Sequence, residues 1–303
     1  MNNSEQEKPK KRKWGCSIIL VVALGLTGYG LVMPDKELPE ISLAAEIIPW
    51  QLPIPGFKHG VPNTLPTAIF TTIVLVLIAF AYYRATRRAE KTGKESRFLI
   101  AMDAVYETVF SFIENVVGKK QALELFPMVA TFFFFILFAN WLGLIPGMGS
   151  IGVWGEHNGH DILIPILRGP NSDLSTTLAL ALVSLTYTQY LGFKHQGVIY
   201  LNKFINFRAP EGSSGALKPV LAFANGFVGI LEIIAEISRI LSFAFRLFGN
   251  VFAGEVLLIV ISYLAAFVAV IPFMGLELFV GAIQALIFSM LSLIFFQMAS
   301  HQH

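Results

Sequence analysis

The sequence predicts an all-α integral membrane protein with five to six transmembrane helices, the last two long and tilted, and one interfacial amphipathic helix. Three observations carry this expectation. The 303 residues are 55% hydrophobic and 14% charged, with a mean hydropathy of +0.65, outside the range of ordinary soluble domains. The apolar residues gather in runs long enough to cross a hydrocarbon layer of about 30 Å. The basic residues sit at the edges of those runs, where lipid headgroups are their natural partners. A formal net charge of +2 without a basic patch gives no support for nucleic-acid binding. The single cysteine, Cys16, excludes an intrachain disulfide and a cysteine-built metal site.

Residues 1–65 read as a basic N-terminal tail, a possible extra span and an external segment; residues 66–303 read as one membrane domain without internal repeats. Lys8, Lys10, Lys11, Arg12 and Lys13 precede an apolar run over 17–33. A retained first span with its N-terminus in the cytoplasm and a cleaved signal peptide both fit that pattern. The lack of a clear small-x-small site before Pro34 favours retention. Residues 34–66 are Pro-rich and mildly acidic, with Asp35, Glu37, Glu40 and Glu46, and are expected to be extended and external.

The next span, 67–83, ends on Arg84, Arg87, Arg88, Lys91, Lys94 and Arg97 against Glu90 and Glu95, which predicts a cytoplasmic loop. Over 98–117, apolar residues recur at helical spacing between Asp103, Glu107 and Glu114. An amphipathic helix packed on the other spans is expected there. The Phe-rich span 126–145 runs outward and is broken after Trp141 by Gly143, Pro146 and Gly147. The following segment carries Glu156, His157, His160 and Asp161, a spacing that matches no closed zinc pattern. With Asn158 and Gly159 reading as a turn, a solvated loop is expected. Asp173 is placed to cap a helix from Leu174, and the span 174–193 runs inward to Lys194, Lys203, Arg208 and Lys218 against Glu211. Both positive segments therefore set the same orientation, with the C-terminus cytoplasmic.

The last apolar territory runs over 219–272 and then 273–299. About 50 helical residues extend roughly 75 to 80 Å, more than twice the hydrocarbon thickness. With no turn between 231 and 271 apart from Gly249 and Gly254, one strongly tilted helix is expected, turning at Ile271 and Pro272.

This territory holds the chain's polar constellation. Glu232, Arg239, Ser242, Arg246 and Asn250 follow at steps of seven, three, four and four and form one helical stripe, with Glu236 on its flank. Glu255 falls about 180° from Arg246. On the returning helix Glu277 and Gln284 are seven apart and share a face. If the two helices run antiparallel, Glu255 lies up to about 13 Å outward of Arg246 and Glu277 about 10 Å outward of Gln284. Carboxylates then stand outside and inside a fixed cation that repels a hydrated cation passing straight through. A structural reading instead pairs Arg239 or Arg246 with Glu232, Glu236 or Glu255 to hold helices together. A secondary transporter binding an anionic solute at this Arg/Glu site is the alternative function, and it requires inverted repeats and broken helices. A membrane-embedded hydrolase lacks a His-Glu-x-x-His pattern and a nucleophile with its base.

The run Phe245-Arg246-Leu247-Phe248-Gly249-Asn250 with Ala253-Gly254-Glu255, then Gln284-Ala285-Leu286-Ile287-Phe288, resembles subunit a of the F-type ATP synthase. Asn140-Trp141-Leu142-Gly143-Leu144-Ile145-Pro146 and the 168–180 region extend the resemblance over 67–299. It implies a non-catalytic stator of the membrane F0 sector in a bacterial plasma membrane, without a cofactor of its own. The implied partners are a ring of c subunits, the b subunits of the peripheral stalk and the rest of the ATP synthase. It further implies two offset half-channels that pass H+ to and from the c-ring carboxylates. Arg246 matches the family's essential arginine, Asn250 and Gln284 its polar partners, Glu255 the acid of the outer half-channel and Glu232 an acid on the cytoplasmic side. Glu277 stands where some members carry histidine, so two acids face the outer path and share a proton in our reading. Both H+ and Na+ remain open as the carried ion, because much of the ion site belongs to the c subunit.

Overall fold

The computed structural model of the chain describes residues 46–48, 60–145, 151–157, 160–204, 217–265 and 270–300. Among them, helix α1 is Thr64–Thr92, α2 Arg97–Val117, α3 Lys119–Gly143, α4 Leu174–Gln196, α5 Leu217–Ala265 and α6 Val270–Ser300. Strand β1 (Ile47–Ile48) pairs antiparallel with β2 (Val61–Pro62), and β3 (Gly152–His157) with β4 (His160–Pro165). Helices α1, α3, α5 and α6 are long and apolar enough to cross a membrane, so the chain is an all-α integral membrane protein, with two small antiparallel strand pairs among the described residues. The expected span at 17–33 and the turn at Asn158 and Gly159 lie outside the described residues. Gly254–Glu277 belongs to one compact unit, and Ser42–Ala253 with Leu278–His303 to another; each is described by itself.

Of the cations after Tyr83, Arg84, Arg87, Arg88 and Lys91 are helical, so the expected loop shrinks to the short link that carries Lys94, and Arg97 opens the next helix. Residues 84–92 contain no Gly or Pro and are mostly Arg, Ala, Glu and Lys, which favour helix, so α1 continues to Thr92. Arg84 and Arg87 lie over the Phe80 and Tyr83 rings, 5.6 and 5.2 Å from the centroids. Gly93, at φ +64°, then stops the helix in the left-handed conformation that glycine adopts without strain. Ser96 caps α2 by accepting from the Leu99 N–H at 3.1 Å. The amphipathic face of α2 packs as expected. Leu99 and Ile113 are buried, and Tyr106 and Phe110 meet the Phe126 ring of α3 edge-on, with centroids 4.7 and 5.5 Å away.

Helix α3 ends at Gly143, as the Gly143 and Pro146 pattern predicts. A methyl group on Gly143 would lie 3.1 Å from the Gly169 α-carbon, so the close backbone approach favours glycine here. The expected solvated loop is a hairpin, in which Glu156 pairs with Asp161 and His157 with His160. Val153, Trp154, Ile162 and Ile164 are strand formers and override the turn-like composition of the segment. Asp173 caps α4 as expected, accepting from the Ser175 N–H at 2.9 Å, and its second oxygen accepts from the Thr64 hydroxyl at 3.0 Å.

The span expected over 174–193 forms helix α4, which is not one of the four described helices long and apolar enough to cross a membrane, because Thr, Ser, Tyr and Gln residues interrupt its apolar run. Thr177, Ser184 and Thr188 are buried, and Ser184 shares a 2.9 Å hydrogen bond with Ser292 of α6. Such bonds between helices satisfy groups that lipid cannot. Helix α5 runs unbroken for 49 residues, as the missing turn signals predict. The turn expected at Ile271 and Pro272 is instead the first turn of α6, where a proline's missing N–H costs no intrahelical bond. Three bonds to backbone carbonyls anchor α6: Trp141 Nε1–H to Leu278 at 3.1 Å, Asn140 Nδ2–H to Gly281 at 3.0 Å and Gln196 Nε2–H to Ala299 at 3.2 Å. Phe132, Phe243, Leu247, Phe288, Leu293 and Phe296 fill the core between α3, α5 and α6.

Candidate functional site

Phe243, Ala244 and Leu247 are buried on α5 and fix its orientation. Phe243 packs on the α6 rings of Phe288 and Phe295 at centroid distances of 5.2 and 5.5 Å. The polar stripe predicted from spacing runs beside these residues, and its members meet different fates.

Glu236 is buried and receives a 2.7 Å hydrogen bond from Arg239 Nη1. The Arg239 guanidinium lies over the Phe295 ring, 4.0 Å from its centroid, where the ring's negative face complements the cation. Arg239, Ser184, Thr188 and Phe243 line a cavity of about 10 Å³, the size that admits a single water. Arg239 thus has a carboxylate partner within the chain, although this i,i+3 pair lies on one helix and does not join two helices as the structural reading of the stripe expects.

Two turns further on, Arg246 is exposed. Its Nη2 donates one long bond, 3.5 Å, to Ser242 Oγ, and it forms no ion pair among the described residues. A guanidinium has five donors and keeps its charge at any working pH. The counter-charge for Arg246 therefore has to come from outside these residues. The neighbouring Leu241 and Phe245 are exposed as well, so the arginine stands in an apolar outward face while the opposite face is packed.

One turn beyond Arg246, Asn250 Nδ2 donates to Gln284 Oε1 at 2.7 Å. Gln284 is 2% exposed, and its Nε2 has no partner among the described residues. A buried amide with one side unpaired is held in place yet retains donor capacity. Above it on α6, Gly281 accepts from Asn140, whose Oδ1 accepts from Asn171 Nδ2 at 2.8 Å. A chain of amides thus runs from the 3-10 turn Pro170–Ser172 through α3 to α6.

Within the unit containing Gly254–Glu277, Glu277 is buried. Its carboxyl group occupies the space a Cβ on Gly254 would need, which explains the glycine as a close-approach position. Glu255 is half-buried and has an interaction of its own, as does the half-buried Glu232.

The structure thus brings together Glu236 with Arg239, Ser242 with Arg246, and Asn250 with Gln284. Ser184, Thr188, Ser292 and Phe295 escaped sequence reasoning, because small hydroxyls and an aromatic ring inside apolar runs look like ordinary span residues. Asn171 escaped it too, although its place two residues before Asp173 in a Gly169-Pro170 turn is a local signal of a fixed loop.

The model of the family described as "ATP synthase A chain" matches residues 68–297. The chain belongs to the ATP synthase A chain family. It is 32% identical over 240 residues to an ATP synthase subunit a of Syntrophobacter fumaroxidans, covering 78% of this chain and 86% of the relative. It is 32% identical over 243 residues to one of Gloeobacter violaceus, covering 80% and 84%, and 34% identical over 194 residues to one of Desulfotalea psychrophila, covering 63% and 68%. The family match begins inside α1 and ends inside α6, so it includes every polar residue of the stripe together with Glu255, Glu277 and Gln284. It corresponds closely to the 67–299 range over which the motifs resemble subunit a.

Proposed function

We propose that this chain is the proton-conducting stator subunit of an F-type ATP synthase in a bacterial plasma membrane, working against a ring of c subunits and held by the b subunits of the peripheral stalk. One observation carries the reading: Arg246 is exposed on a helix whose other face is packed, with a single 3.5 Å bond to Ser242 and no ion pair among the described residues. A permanent cation at bilayer depth costs at least about 2.5 kcal/mol on insertion scales, and a carboxylate on the ring supplies what the chain does not.

The chemistry follows from charge. Arg246 favours the ionised form of a ring carboxylate brought beside it, so the carboxyl group gives up its proton before passing. Glu255 and Glu277 serve the outer half-channel, sharing a proton, and Glu232 serves the cytoplasmic one. Glu236, hydrogen-bonded to Arg239 at 2.7 Å, lines the inner path together with that arginine. Asn250 and Gln284 hold a polar lane beside Arg246 without adding charge. Arg246 stands between the two lanes and keeps protons from crossing without rotation.

An anion transporter built on the same arginine requires a discontinuous helix at its site, whereas α5 is continuous through Arg246. The test is ATP-driven proton pumping in inverted vesicles carrying Arg246→Ala. Pumping at background level is expected; full coupled pumping refutes the role.

A further inference from the structure

The C-terminal turns of α1 and the link that follows, as far as the Ser96 cap of α2, line an open cleft of about 780 Å³, a size that accommodates a lipid headgroup with the first part of its chains. Arg84, Arg87, Arg88, Lys91 and Lys94 line it, with Glu95 the sole acid and Ser96 at its edge. All five cations are exposed, and none makes an ion pair among the described residues. The cleft therefore carries an excess of four positive charges, five cations against one acid, that nothing in the described chain neutralises.

Two further features point to phosphate. Ser96 Oγ accepts from the Leu99 N–H, which leaves its hydroxyl hydrogen to donate. Helix α2, 21 residues long, begins directly after Ser96, so its positive end adds to the local potential. A third feature selects a lipid over a free anion. Ile73, Val76, Leu77 and Phe80 are at least half exposed on α1 and lead up to Arg84, which lies over the Phe80 ring. Apolar surface for an acyl chain thus continues into cationic surface for a headgroup.

We propose that this cleft is a binding site for an anionic phospholipid, its phosphate held by the five cations and Ser96 and one acyl chain laid along the exposed side of α1. Basic pockets of this kind beside membrane helices recognise acidic headgroups. The site is independent of the proton path, since it shares no residue with it.

The test is native mass spectrometry of the purified full-length chain with equimolar phosphatidylglycerol and phosphatidylcholine of identical chains, with and without millimolar inorganic phosphate. Phosphatidylglycerol retention at least about tenfold above phosphatidylcholine is expected, given a factor of about five per cation near an acidic lipid. Quadruple substitution R84Q/R87Q/R88Q/K91Q should abolish the preference, while R84K/R87K/R88K retains it and K119Q/K120Q leaves it unchanged. Unchanged circular dichroism of the variants separates binding from misfolding. Equal retention of the two lipids, preference surviving in the quadruple variant, or equal loss in K119Q/K120Q would overturn the proposal. So would complete displacement by inorganic phosphate, which would assign the cleft to a free anion. Loss of an acidic protein from the assembled complex, with lipid retention unaltered, would assign it to a protein partner and also overturn it.

Discussion

Arg239 and Arg246 are seven residues apart on one helix, nearly in register on one stripe, and the chain surrounds them in opposite ways. Arg239 has a carboxylate at 2.7 Å and an aromatic face at 4.0 Å, while Arg246 has one hydroxyl at 3.5 Å and an exposed setting. The residue type and spacing are the same, so the difference comes from what α4 and α6 present. Phe295 of α6 and the small residues of α4 line the cavity beside Arg239, whereas Arg246 is exposed. A half-buried, paired arginine is a packing element. An exposed one inside an apolar face is a group held ready for a partner.

The largest expected effect sharpens this contrast. Arg246→Ala should reduce ATP-driven pumping to background while leaving the thermal unfolding midpoint of the purified chain within about a degree or two, because exposed sites outside special features change stability by less than about 0.5 kcal/mol. Arg239→Ala should do the reverse. It removes the 2.7 Å partner of the buried Glu236 carboxylate, a loss of about 1 to 3 kcal/mol, and should appear as a lowered midpoint and poor assembly. Adding Glu236→Gln should recover part of it. If Arg239→Ala leaves the midpoint unmoved, the contrast drawn between the two arginines fails.

A smaller effect is expected at the second glycine of the motif. Gly254→Ala puts a methyl group into the space of the Glu277 carboxyl, which should cost about 1 to 3 kcal/mol as overpacking. Combining it with Glu277→Ala should restore the midpoint, although not the outer proton path. Recovery of the midpoint by the double substitution is read by the same melt, and its absence would mean that the two groups do not share that space. The smallest effect is at Asn250. Its replacement by Ala removes the 2.7 Å bond to Gln284 and should cost about 1 kcal/mol, with a several-fold drop in pumping and no change in assembly.

Much of the fold was legible because lipid imposes a simple rule: a span must be apolar, long and helical. That rule located α1, α3 and the continuous α5, and the Asp173 cap located the start of α4. It failed where local chemistry decides the outcome. The end of α1 depends on Gly93 and on arginines stacking over rings one turn back, so charge alone misplaced it in a loop. The β3 and β4 hairpin was hidden by the turn-like residues at its tip. Spacing placed Glu232 to Asn250 on one stripe, yet it could not tell that Arg239 is paired within the chain and that Arg246, among the described residues, is not. What separates them is Phe295, 56 residues further along by the numbering, and long-range contacts of that kind leave no periodic trace. Thr64 meeting Asp173 across 109 residues is another such contact.

The central claim is that the partner of Arg246 lies on another subunit, and photo-crosslinking reads it directly. A benzophenone amino acid in place of the exposed Phe245, in the assembled membrane complex, should capture the c subunit on irradiation, while the same group at the buried Phe243 should give only intrachain products. Capture of the c subunit from position 245 and not from 243 is the predicted result. Capture of lipid alone from position 245, with the complex intact, would contradict the account.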